Sequence, residues 1–328
     1  MHDKRTIPST PTPFVQEKFT DQILAERRAS EISKSDCHLH LHHSAPIEVF
    51  RELGGDSVPK IPAHFGDTQG LFSFLRDAHI AHLGTLENTR RVVRAALAHL
   101  QKDRVVYAEA GIGITAPIRL GITWAEYAQM IREELTTIAP HSKILFDLGH
   151  SRDKGPISRS QIEAALATGL FSAIDLYGDE LSAPASAFKE FFEIARSNGL
   201  RLKIHVGENQ GPAAIREEIR EVQPDAIQHG FRAAEDTELM AELADSGTPL
   251  NLTLASNIMT GVVDSYEDHP IRKLFDAGVR ITLGSDDFGA FGRSISDEYH
   301  ELYARKIFSS SELEKIRCFG LGFCATKN

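Results

Sequence analysis

The chain has 328 residues, 41% hydrophobic and 25% charged, which is the composition of a soluble globular protein and enough length for two average domains or one α/β barrel. A formal net charge of -10 and the lack of any Lys/Arg-rich run argue against a nucleic-acid partner. No apolar run reaches the length of a membrane span, so no membrane partner is expected either.

The first residues, Met1 to about Thr12, are rich in Pro, Thr and Ser and are expected to lack fixed structure. They contain no apolar stretch of the secretory kind. Cys37, Cys318 and Cys324 form neither a disulfide framework nor a C-x-x-C metal motif. A reducing, cytoplasmic location is the expectation. From Phe14 to about Ile32 the apolar spacing of three and four predicts a helix.

Asp36 to Ser44 reads D-C-H-L-H-L-H-H-S. In an extended strand, residues i and i+2 share a face, so His38 and His40 present two imidazoles side by side and His42 continues the row. Two adjacent imidazoles make half of a metal site. A satisfied histidine cluster is the alternative reading of this stretch alone.

Ile47 to Leu53 predicts a short helix closed by Gly54 and Gly55. Thr68 to Leu100 carries two helical patterns. Seven short apolar runs follow: 105–109, 144–148, 172–176, 202–206, 226–229, 250–254 and 279–283. Each suits a buried parallel strand. Helical patterns fill the gaps at 124–135, 160–167, 185–198, 211–222, 236–245 and 269–277. With the histidine strand, eight strands alternate with helices, as a (β/α)8 TIM-type barrel requires. A doubly wound open sheet would also alternate. The barrel is preferred because polar residues cluster at the C-terminal ends of many strands, which only a barrel brings to one mouth. The expected layout is a tail and helix over residues 1–35, then a single barrel domain over 36–328.

Those strand ends are His205-Val206-Gly207-Glu208, His229-Gly230 and Ser285-Asp286-Asp287. Singly, each is weak: a lone histidine is more often structural, and an Asp-Asp pair is often a turn or a cap. Together they supply imidazole and carboxylate ligands of the kind Zn²⁺ takes, with acid, base and orienting groups left over for hydrolysis.

The motifs H-L-H at 38–40, H-V-G-E at 205–208, H-G at 229–230 and S-D-D at 285–287 resemble the signature of the adenosine/AMP deaminase family of metal-dependent amidohydrolases. Val106-Tyr107-Ala108-Glu109, Asp175 to Glu180, Ala255-Ser256-Asn257, Thr260-Gly261 and His269-Pro270 are similar in the same order. The resemblance implies a (β/α)8 barrel and one Zn²⁺ per chain, held by His38, His40, His205 and Asp286. It implies Glu208 as the acid that protonates a purine ring nitrogen. It implies His229 as the base that orients and deprotonates the attacking water, and Asp287 as a hydrogen-bond partner of that water and of the substrate. The backbone of Gly178 would meet another purine nitrogen.

Two departures from the family pattern stand out. His42 and His43 occupy places that usually hold an acidic or amide residue and a glycine, so His42 is either a substrate contact or a support for a ligand histidine. Gly111 stands where an arginine is common. The expected activity is deamination of adenosine or a related 6-aminopurine nucleoside or nucleotide. A modified purine or a non-purine cyclic amidine is the alternative substrate, and a catalytically silent binding protein is the alternative class. The partner is a small purine-like molecule. The assembly state is left open, with a homodimer among the options.

Overall fold

The computed structural model describes residues 17–322. The Pro- and Ser-rich start, Cys324 and the first residues of the predicted N-terminal helix lie outside that range. Eight parallel strands run in sequence order: β1 (Lys34–His40), β2 (Val105–Gly113), β3 (Lys143–Ser151), β4 (Phe171–Tyr177), β5 (Arg201–Val206), β6 (Ala226–His229), β7 (Leu250–Leu252) and β8 (Ile281–Leu283). The ring closes where β1 meets the chain just after β8. Leu39 bridges Asp286 there, with His40 N donating to Asp286 O at 3.0 Å and Asp286 N donating to His38 O at 2.8 Å. Helices follow the strands and pack outside, as the apolar runs require.

Alternation along each strand sends one set of side chains outward into the helix layer. Leu39, Ala108, Ala110, Leu148, Ile174, Ile204 and Ile227 are buried in this way. The inward set is unusually polar. Lys203 pairs with Glu109 and Asp147, and Arg201 donates to Glu109 at 2.6 Å. Nearby, one side chain per strand forms a belt. Thr282 Oγ1 donates to Asn251 Oδ1 at 2.6 Å, Asn251 Nδ2 donates to Gln228 Oε1 at 2.7 Å, and Gln228 Nε2 reaches Asp175 Oδ2 at 3.4 Å. Such a belt is stable inside a protein only because its members satisfy one another.

Several expected boundaries shift. Within the described part of the predicted 14–32 helix, helical geometry is confined to Asp21–Ala25 and a 3-10 turn at Ala29–Glu31. The Thr20 hydroxyl caps Ile23 N at 3.2 Å, so the helix starts late. Arg28 N then bonds Ile23 O at 2.8 Å with Arg27 left-handed at φ 56°, a Schellman-type stop that turns the chain toward β1. The run at 250–254 is a strand only to Leu252, because the chain then coils into Leu254–Met259 over the barrel mouth. Pro270 stands at the N-cap of Ile271–Asp276 and begins that helix later than His269. Two helices at the C-terminal side, Ile295–Ala304 and Ser310–Gly320, have no counterpart among the predicted elements; each opens with a capping box, from Ser294 and Ser309.

Candidate active site

Four strand ends bring the predicted residues to one mouth. His38 Nε2 lies 3.0 Å from His205 Nε2 and 3.6 Å from Asp286 Oδ1, and His40 Nε2 lies 3.4 Å from the same carboxylate oxygen. The ring centres of His205 and His229 are 5.3 Å apart, and those of His38 and His229 are 4.9 Å apart. The donor atoms fall into two overlapping groups, His38 with His205 and His229, and His38 with His40 and Asp286; within each group they lie within 4.8 Å of one another. His38 is common to both. The sequence-derived set of His38, His40, His205 and Asp286 therefore spans the two groups, with His229 beside it.

The cluster suits a divalent cation. Burial and the neighbouring imidazoles hold His38 and His205 well below the usual histidine range, so both rings are neutral, the form in which an imidazole can bind a metal. His205 Nδ1 sits 3.1 Å from Asp175 Oδ1 and donates to it, which leaves the Nε2 lone pair facing the cluster. His38 Nδ1 and Asp287 Oδ1 are buried atoms with no protein partner. Imidazole nitrogens plus a carboxylate are a zinc-type donor set. Asp36 fixes the seam beneath: Ser285 N donates to Asp36 Oδ1 at 3.1 Å and Ser285 Oγ donates to Asp36 Oδ2 at 2.5 Å.

Two of the turns that carry the cluster use uncommon backbone. His229 and Asp286 have φ of 60° and 57°, in the left-handed region that non-glycine residues seldom occupy. Such conformations cost on the order of 1–3 kcal/mol each and persist where the surroundings impose them. Here they swing each side chain off the end of its strand toward the cluster.

Glu208 and His229 form the candidate acid–base pair. Glu208 Oε2 lies 3.9 Å from His229 Nε2. Burial pushes the Glu208 carboxyl up to about 6, with the Asp286 and Glu180 carboxylates acting in the same direction and His229 opposing. Asp287 is held well above the usual range by burial and by the Asp286 and Glu208 carboxylates. A relay orients the pair. Ile271 N donates to His269 Nδ1 at 3.1 Å, which places that ring's proton on Nε2, 3.3 Å from Asn257 Oδ1. The Asn257 amide then points Nδ2 at Glu208 Oε1, 3.4 Å away, and at His229 Nδ1, 3.3 Å away. The Thr253 hydroxyl is 3.0 Å from His229 Nδ1.

Glu180 holds the Glu208 turn. Its carboxylate accepts from Gly207 N at 3.1 Å, Glu208 N at 2.8 Å and Gln210 N at 3.0 Å. Sequence reading placed Glu180 only within a similar stretch, not as a clamp; the strand-four position after a conformationally special glycine was its signal. Asn257, Thr253 and His269 were likewise without assigned roles.

A cavity of about 480 Å³ opens from the cluster. Its wall includes His40, His42, Gly111, Tyr177, Gly178 and Asp287. Gly178 has φ 92°, and a Cβ there would come within 2.4 Å of Ser151 Oγ, so its backbone must lie bare against the cavity. A Cβ on Gly111 would meet His40 Nδ1 at 3.2 Å, which accounts for the missing side chain at that place. His42 lines the cavity with Nε2 bonded to Tyr127 Oη at 2.5 Å, and burial pushes its pKa down to about 3. His43 Nδ1 packs 3.1 Å from His79 Nδ1. His42 and His43 are both neutral rings in the cavity wall.

A (β/α)8 barrel whose mouth gathers histidines and a carboxylate from its first, fifth, sixth and eighth strands defines a metal-dependent amidohydrolase. The family model described as Adenosine deaminase matches residues 34–325, and the chain belongs to that family and is a deaminase. It is 31% identical over 297 residues to an adenine deaminase of Rhizobium leguminosarum bv. trifolii, covering 87% of this chain and 92% of that protein. It is 30% identical over 300 residues to an adenosine deaminase of Serratia proteamaculans, covering 82% and 87%. Among solved structures, the adenine deaminase of Arthrobacter aurescens superposes with a TM-score of 0.79 at 23% identity, covering 90% of this chain and 94% of that one. An amidohydrolase from Burkholderia ambifaria with bound Zn gives 0.77 at 19% identity, covering 97% and 92%. No described helix is long and apolar enough to cross a membrane.

Proposed function

We propose that the protein hydrolyses the exocyclic amine of adenosine or a related 6-aminopurine nucleoside or nucleotide, releasing ammonia and the 6-oxo product, with one Zn²⁺ per chain. The observation that carries this reading is the convergence of His38, His40, His205, His229, Glu208 and Asp286 at one end of the barrel. His38, His40, His205 and Asp286 would hold the ion. Zinc, when bound in such a site, supplies Lewis-acid activation of water near neutral pH.

The chain's own residues do the rest. His229 takes a proton from the attacking water, its ring steadied by Thr253 and Asn257. Asp287 hydrogen-bonds the same water and the substrate. Glu208 delivers a proton to the ring nitrogen beside the attacked carbon, so that ring electrons have somewhere to go as the C–O bond forms. As the C–N bond breaks the amine takes the proton held on His229 and leaves as ammonia, and loss of the adduct's hydroxyl proton gives the 6-oxo product and restores the Glu208 carboxyl. Glu208 is suited to this because burial keeps its carboxyl protonated at higher pH than a free glutamate. The Gly178 backbone is the candidate for a second purine nitrogen, and His42 supports the pocket wall.

Residues 36–328 form the catalytic unit in this reading. Cys37 and Cys318 form no disulfide among the described residues, which suits a cytoplasmic setting. The test is ammonia release by zinc-loaded protein from a panel of 6-aminopurine bases, nucleosides and nucleotides. Turnover of at least one member is expected; turnover of none would refute the activity and leave the cyclic-amidine alternative, motivated by His42, His43 and Gly111.

A further inference from the structure

Three permanent cations line the cavity: Arg76, Arg119 and Lys154. Arg76 pairs with Asp77 at 2.9 Å and Lys154 with Asp153 at 2.7 Å. Arg119 has no ion pair and no side-chain hydrogen bond to any described residue. It sits on the short helix Ala116–Leu120 beyond β2, next to Tyr127 and Tyr177, close enough that its charge acts on both and on His42. Arg119 is solvent-exposed where it lines the cavity, and partial desolvation of its guanidinium lowers its pKa. A guanidinium that faces the cavity without a partner among the described residues has its N–H donors available to an anion on the ligand.

The cavity also exceeds what a bare purine needs. About 480 Å³ lies within the roughly 300–1,000 Å³ range of pockets that enclose drug-sized molecules. His40 and Asp287 line the cavity on the cluster side. Tyr177, whose ring centre is 5.3 Å from that of His40, stands near Arg119 as well, and the exposed Thr115 also lines the cavity.

We infer that Arg119 is the anion-binding residue of the substrate cavity and that the substrate class is a 6-aminopurine nucleoside 5′-monophosphate, not the free base or the nucleoside. This rests on the deaminase reading above. A guanidinium meets a phosphate monoester with two parallel N–H donors, which an ammonium does not reproduce.

The experiment uses full-length zinc-loaded protein, as wild type, Arg119→Gln and Arg119→Lys. The kcat/KM is measured for adenine, adenosine and adenosine 5′-monophosphate, and binding of inosine 5′-monophosphate and inosine is measured by calorimetry. Wild type is expected to favour the monophosphate. Arg119→Gln is expected to lower the ratio of monophosphate to nucleoside kcat/KM by about tenfold to a hundredfold, the scale of a charge-assisted hydrogen bond, and Arg119→Lys to recover part of it. A wild type that favours base or nucleoside overturns the inference, as does a ratio that Arg119→Gln leaves unmoved. If no aminopurine is deaminated, the activity reading fails, and calorimetry still decides the subsite. Monophosphate binding that weakens in Arg119→Gln upholds the anion site; equal binding of inosine and its monophosphate refutes it.

Discussion

Replacing Glu208 by glutamine separates proton donation from everything else at the mouth. The two side chains have the same shape. The Glu180 clamp acts on the backbone of residues 207, 208 and 210, so it does not depend on the Glu208 side chain. Asn257 Nδ2, at 3.4 Å, can donate to the amide oxygen of glutamine as it does to the carboxylate. Glu208 belongs to neither group of candidate ligands, so zinc content is expected to stay at one per chain. What disappears is an ionisable proton on a carboxyl that burial holds at about 6. General acid catalysis contributes about 10²–10⁴-fold, so kcat is expected to fall by that factor, about 3–5 kcal/mol of barrier. The assay is initial-rate ammonia release, with zinc by elemental analysis and Tm on the same preparation. A fully metallated, stable variant that keeps more than about a fifth of wild-type kcat would refute the role of Glu208 as proton donor.

Asp286→Asn keeps a residue type that tolerates the left-handed backbone at this position but removes the charge facing His38 and His40. Zinc occupancy and activity are expected to fall together, and full occupancy with full activity would remove Asp286 from the ligand set. Asp175→Asn weakens the orientation of His205 and is expected to cost about 10–100-fold in zinc affinity, read by chelator competition; unchanged affinity would make the contact purely structural. Lys34 lies buried, its ammonium bonded to Ala29 O and Ile32 O at 3.1 Å each, and burial lowers its pKa from 10.5 to about 8. A lysine depressed in the folded state binds fewer protons there than when unfolded between those two values. Its burial cost is therefore full below pH 8 and is relieved as pH rises toward 10.5. The unfolding free energy of wild type relative to Lys34→Met is expected to grow by about 2–3 kcal/mol from pH 7 to 10.5 in denaturant titrations, and a flat difference would contradict the burial argument.

Much of the barrel is legible because a strand covered on both faces must be an apolar run, and seven such runs, with the histidine strand before them, alternate with amphipathic segments. The mouth is legible because chemistry needs particular residue types: histidines at 38, 40, 205 and 229 and carboxylates at 208, 286 and 287 are written into strand ends. The supporting residues are harder to read. Asp175, Gln228, Asn251 and Thr282 come one to a strand, so their belt exists only after the ring closes. Arg119 has no sequence neighbour that marks it; only the cavity shows that its charge goes unanswered. The N-terminal segment misleads because its helical spacing records burial of Phe19 and Leu24 against the barrel, while Thr20 and Arg27 decide where the helix runs.

The strap of backbone hydrogen bonds at Leu39 and Asp286 ties the opening strand to the final one at the same place where imidazole and carboxylate meet. Some 250 residues separate the two sides of that joint. A nascent chain emerging from the ribosome therefore displays His38 and His40 long before Asp286 exists to complete their set. In the proposed zinc reading, acquisition of the ion in its final form waits for the barrel's last segment to dock, and cofactor loading would then report completion of the fold.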